Sequence, residues 1–116
     1  MEMRDEPLTI EISPGSRADT VILRLQGPLT LTTLFSLQDE LRSHAGPLTI
    51  LDMSGVPYID SAGLGTVLML YVSAEKAGRK LVLAGVSERV MSLIQMTKVD
   101  TVLKMYPSVE AAEQGS

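Results

Sequence analysis

Apolar and polar positions change rhythm several times along the chain, and each change marks a predicted element. Leu8-Thr9-Ile10-Glu11-Ile12 alternates with a period of two and stops at Ser13-Pro14-Gly15-Ser16, which reads as a half-buried strand followed by a turn. Thr20 to Gln26 alternates again, with Val21, Leu23 and Leu25 on one face and Ile22, Arg24 and Gln26 on the other. The two runs predict a hairpin that ends at Gly27-Pro28. From Leu31 the period lengthens. Leu31, Leu34, Phe35, Leu37 and Leu41 recur at three- and four-residue steps, predicting an amphipathic helix with Thr30 as N-cap and Gly46-Pro47 closing it.

Leu48 to Met53 reads as an inner strand, and Ser54-Gly55-Val56-Pro57 turns the chain toward a helix that starts near Ser61, runs to Ala77 and stops at Gly78. Leu81-Val82-Leu83-Ala84 is a short apolar strand ended by Gly85. Ser87 caps a third helix whose buried stripe is Val90, Leu93 and Ile94. Val102 to Met105 predicts a last edge strand and Pro107 to Glu113 a short terminal helix, with Gly115-Ser116 fraying. Strands and helices alternate after the hairpin. The expected fold is therefore α/β: a mixed sheet of about four to five strands, helices packed on one side, and right-handed crossovers between parallel strands.

Composition narrows the partners. A chain of 116 residues, 45% hydrophobic and 21% charged, suits one folded domain over residues 1–116, with a core at about residues 8–113 and flexible termini. Phe35, Tyr58, Tyr71 and Tyr106 are the only aromatics, so Leu, Val, Ile and seven Met must build the core, and base-stacking surfaces are not expected. The net charge of −4 and the scattered bases disfavour nucleic acid and anionic membrane. Absence of cysteine removes disulfide and thiolate chemistry and fits a reducing compartment. The acidic N-terminus lacks the basic start of a signal peptide, and the longest apolar run, Val67 to Val72, falls far short of the ~20 residues a membrane span needs. A cytoplasmic protein is expected. No long heptad pattern appears, so a monomer is expected.

Candidate chemistry concentrates where strand, turn and helix meet, at Asp60-Ser61-Ala62-Gly63-Leu64-Gly65. Ser61 falls where an N-cap belongs, with a hydroxyl able to accept from the amide of Gly63 or Leu64. Gly63 and Gly65 leave that first turn bare. A phosphoryl group on Ser61 would be accessible and would meet unpaired amides at the positive end of the helix dipole. On the helical wheel, Leu64, Val67, Leu70, Tyr71 and Ala74 share one face, while Ala62, Gly65, Met69 and Lys76 share the other. A face of small residues and a flexible Met suits close approach by a partner, although a plain cap is the commoner role for such a serine.

Other chemistries fit less well. A nucleophile elbow wants Gly-x-Ser-x-Gly, but Ile59 stands at the first glycine's place, and the only histidine, His44, ends a surface helix. A receiver domain would need an acidic pair after the first strand and a lysine on a late strand, and neither Ile12-Ser13-Pro14-Gly15 nor Leu81 to Ala84 supplies them. Gly63-Leu64-Gly65 lacks the third glycine of a dinucleotide loop, and no Gly-Lys-Ser/Thr loop occurs. Asp52 and Asp60 flank a turn, where carboxylates commonly serve as turn and cap residues. No metal, cofactor or enzymatic activity is expected.

Asp60-Ser61-Ala62-Gly63-Leu64-Gly65, preceded by Leu51-Asp52-Met53-Ser54 and Tyr58-Ile59, resembles the STAS domain of anti-sigma factor antagonists, and the element order over Leu8 to Glu113 is similar too. The resemblance implies a protein-binding module that sequesters an anti-sigma factor with serine kinase activity and so regulates sigma-factor-dependent transcription. It places the phosphorylated serine at Ser61, beside Asp60, and the partner-binding helix at Ser61 to Ala77. Asp60, Ser61, Ala62, Gly63, Gly65, Thr66 and Met69 are the implied contact residues, and a serine phosphatase acting on the phosphorylated form completes the set of partners. One loop departs from the pattern: many members carry glycine, glutamate, leucine, aspartate after the second strand, and this chain has Gly27-Pro28-Leu29-Thr30. That departure leaves open a scaffold of the same fold in a stressosome-like or lipid-transport assembly.

Overall fold

The computed structural model describes residues 6–116. Five strands form one sheet in the order β1-β2-β3-β4-β5, with β1 (Thr9–Pro14), β2 (Thr20–Gln26), β3 (Leu48–Gly55), β4 (Lys80–Ala84) and β5 (Met105–Tyr106). β1 and β2 form the expected antiparallel hairpin, pairing Thr9 with Gln26 and Pro14 with Val21, and every later pairing is parallel. Pro14 is tolerated because β1 lies at the sheet edge.

Spatial order equals chain order, so each parallel crossover steps in the same direction. Right-handed crossovers that all step one way lie on one face of the sheet. That face carries α1 (Leu34–His44), α2 (Ser61–Lys76) and α3 (Glu88–Met96). Their apolar stripes, among them Leu37, Leu64, Val67, Val90 and Ile94, pack on Leu23, Leu25, Leu51, Met53 and Leu83. The alternate strand residues point the other way. Ile22, Leu48, Ile50, Val82 and Ala84 form a second, smaller core that α4 (Val109–Gly115) covers through Ala112 and Val109. Three helices thus lie on one side as expected, and the fourth lies on the opposite side because those inward-facing strand residues also need cover.

Several boundaries differ from the expectation. α1 begins at Leu34 instead of Leu31, and Thr30 is not its cap. The Thr33 hydroxyl donates to the Pro28 carbonyl and accepts from the Thr30 amide, both at 2.9 Å, which closes the 28–33 loop before the helix starts. The last strand is Met105–Tyr106, and the chain before it forms a 3-10 turn at Val99–Thr101 that tucks Leu103 into the larger core. The C-terminal residues are tied down: Tyr106 donates to the Gly115 carbonyl at 3.1 Å and Arg17 to the Ser116 carbonyl at 3.0 Å. Glu113 accepts from both the amide and the hydroxyl of Ser16 at 2.6 Å, so the hairpin turn clasps α4. These bonds and the nearby Arg17 outweigh a small burial effect and lower the Glu113 pKa.

Candidate functional site

Two carboxylates flank the turn between β3 and α2, with different roles. Asp52 lies in the strand and is 6% exposed. Its Oδ1 accepts from the Ser54 hydroxyl at 2.7 Å and the Ser54 amide at 3.1 Å, and its Oδ2 accepts from Arg24 Nε at 3.2 Å. Arg24 also reaches Glu11 at 3.4 Å, so one guanidinium links β1, β2 and β3. Burial pushes the Asp52 pKa up, but the bonds from Ser54 and Arg24 together win and hold it below the ordinary carboxylate range.

Asp60 sits across the turn. It, and not Ser61, is the N-cap of α2: its Oδ1 accepts from the Gly63 amide at 2.8 Å. Its Oδ2 accepts from the Leu31 amide at 3.1 Å, so a single carboxylate joins the helix start to the loop after β2. The same junction is held by backbone bonds, Leu29 N–H to the Tyr58 carbonyl at 3.2 Å and Asp60 N–H to the Leu29 carbonyl at 3.3 Å. Gly63 is required there, because a Cβ would run into the Leu29 carbonyl.

The expectation for Ser61 is corrected in one respect. It is the first helical residue and an exposed one, with Asp60 already occupying the Gly63 amide that a serine cap would have used. The hydroxyl is therefore free of capping duty. Along α2, Ser61, Gly65 and Met69 recur every four residues as an exposed ridge, with Met69 52% exposed. Ala62 is half-buried. Gly63 and Thr66 face inward, Thr66 being only 5% exposed, so the inner side of the helix and not the ridge holds these two predicted contact residues.

The periodic pattern groups Leu31 and Phe35 with the apolar stripe of α1, and the structure exposes both, at 62% each. With the helix starting at Leu34, the stripe is Leu34, Leu37 and Leu41, and Phe35 turns about 100° away from it. Leu31, Tyr58 and Asp60 line one shallow recess together with Pro28 and Thr30, which sets exposed apolar side chains beside the Ser61 end of α2. The guanidinium of Arg89 lies over the Tyr58 ring, 5.1 Å from its centroid, and brings a cation from α3 to the same end. Leu31, Phe35, Tyr58 and Arg89 are absent from the predicted contact set, and Phe35 as the single phenylalanine of the chain was the one available signal.

Both acids that the spacing offered to a metal are already engaged, Asp52 by Ser54 and Arg24, Asp60 by two amides. His44 is exposed at the end of α1, with its Nδ1 3.2 Å from Glu40 Oε1. Among the described residues, no helix is long and apolar enough to cross a membrane.

Comparison with known proteins gives a consistent picture. The STAS domain family profile matches residues 10–112. An anti-sigma factor antagonist from Mycobacterium paratuberculosis superposes with a TM-score of 0.81 at 17% identity, over 93% of this chain and 92% of that one. The Bacillus cell fate determinant SpoIIAA in its phosphorylated form gives 0.66 at 18% identity, over 93% of this chain and 100% of that one. The same fold recurs inside a much larger protein, the murine solute carrier 26 family member A9 anion transporter, with a TM-score of 0.73 at 19% identity over 97% of this chain but 22% of the transporter.

Proposed function

Because the chain belongs to the STAS domain family, we propose that it acts as an anti-sigma factor antagonist whose docking surface is the Ser61 end of α2 and whose switch is phosphorylation of Ser61. The observation that carries the reading is the placement of Ser61: exposed, relieved of capping by Asp60, and next in the chain to the recess that exposed Leu31 and Tyr58 line with Asp60. Such a patch suits burial by a protein partner. A phosphate on Ser61 adds about −1.5 to −2 charges. It would stand next to the Asp60 carboxylate, so a partner covering the patch would meet repulsion and a desolvation penalty without any change of fold. The partner in this reading is an anti-sigma factor with serine kinase activity, a serine phosphatase reverses the modification, and the complex forms in the cytoplasm with the monomer.

A second reading has its own observation. Pro28 and Thr30 stand where many family members carry acids, and they line the recess beside Asp60. The docking surface therefore lacks two negative charges, which favours a different partner, as in a stressosome-like or lipid-transport scaffold without regulated phosphorylation. Incubation with the serine-kinase anti-sigma factors of the source organism and ATP, followed by peptide mass mapping, separates the two. Label on Ser61 is expected; label on Ser54 or Ser87, or none, overturns the switch.

A further inference from the structure

At the far end of α2 lies a recess of about 460 Å³ between the last turns of α1 and α2 and the start of β4. Ser73, on its wall, stands twelve residues along the helix from Ser61, roughly 18 Å at 1.5 Å per residue. The recess thus lies toward the opposite end of α2 from Ser61, and Met69 of the exposed ridge reaches its near wall. Its size falls in the range that small ligands occupy, about 300–1,000 Å³.

The lining has two distinct parts. Leu41, Leu70, Ala74 and Leu81 form an aliphatic floor, and Leu41 and Leu81 belong to the larger core. Arg42, Arg79 and Lys80 stand around it, and among the described residues no carboxylate lines the recess, although the chain as a whole carries −4. Arg42 is partly engaged by Asp39 at 2.9 Å. Among the described residues Arg79 and Lys80 make no ion pair, and both are exposed. No aromatic side chain lines the recess, so a nucleobase would find nothing to stack on.

An aliphatic floor beside exposed cations is complementary to an anion with a hydrocarbon tail. We infer that this recess binds a single-chain aliphatic carboxylate, with the tail over Leu41, Leu70 and Leu81 and the head group against Arg79 and Lys80. Tail burial on the aliphatic floor and attraction of the head group to the cations together supply the affinity, and the cations select the sign of the head group.

Titration of the full chain with decanoate, followed by amide NMR, tests this, with acetate and decyltrimethylammonium as comparison ligands. Saturable one-to-one binding of decanoate is expected, with the shifts concentrated at Leu70, Ala74 and Leu81 and both comparison ligands at least tenfold weaker. The double variant Arg79→Ser, Lys80→Ser alters exposed side chains and is expected to retain the fold by circular dichroism while losing at least tenfold in decanoate affinity. Ala74→Phe, which fills the recess, is expected to lose as much. No saturation below the micelle concentration, equal binding of the cationic ligand, or an unchanged affinity in the double variant overturns the assignment.

Discussion

Asp52 and Asp60 bracket the same turn, yet one carboxylate holds the sheet together and the other organises the surface. Asp52 is buried within β3, where a charge persists only if it is fully hydrogen-bonded, and Ser54 and Arg24 meet that need. Asp60 lies at the helix start, half in solvent, and spends its two oxygens on the amides of Gly63 and Leu31. The difference lies in what each acid leaves free. Asp52 consumes Ser54, while Asp60 releases Ser61 from the cap and fixes the 28–33 loop beside it.

The comparison can be broken first at its buried half. Asp52→Ala strips the acceptor from Arg24 and from both Ser54 donors, and since Arg24 is half-exposed the expected loss is about 2–3 kcal/mol of unfolding free energy, read by urea denaturation. Affinity for the partner per folded molecule is expected to be unchanged. Asp60→Ala reverses this balance. Loss of the cap is expected to cost about 1 kcal/mol. The freed Leu31 loop is expected to weaken partner binding by more than the stability change alone would, as a titration against the anti-sigma factor would show.

Acid sharpens the contrast. The folded-state pKa of Asp52 lies below its unfolded value of about 3.9, so the unfolded chain takes up the proton first. The stability this group contributes is complete above that unfolded value and is lost as pH falls toward the folded one. Urea midpoints compared at pH 6 and pH 3 are expected to drop further for the wild type than for Asp52→Asn. Glu113 adds a loss of the same sign through its bonds to Ser16. Because Glu113 lies at the surface, only partly buried, and far from α2, Glu113→Gln is expected to have the smallest effect of the four substitutions, a slight lowering of the thermal midpoint with partner binding untouched.

Much of this arrangement was legible in the sequence. The two alternating runs, the Ser87 cap and the Ser61 helix carry strong local signals, and the Ser87 hydroxyl does accept from the Val90 amide. Sequence and structure part where tertiary contacts decide. Asp60 and Ser61 are both good capping residues, and only the pairing of Leu29 with Ile59 sets the chain so that Asp60 takes the cap. Leu31 and Phe35 share a helical period with Leu34 and Leu41, but Thr33 binds the Pro28 carbonyl and delays the helix, which turns both to the surface. The position of α4 depended on which sheet face remained uncovered once three right-handed crossovers had filled the other.

The most direct test of the switch is the affinity of the anti-sigma factor for the intact protein with phosphoserine at position 61, set beside the unmodified protein and Ser61→Ala. At least a tenfold loss on phosphorylation is expected, with Ser61→Ala binding like the unmodified protein and all three sharing one thermal midpoint within a few degrees. Equal affinity of the phosphorylated and unmodified forms would contradict it.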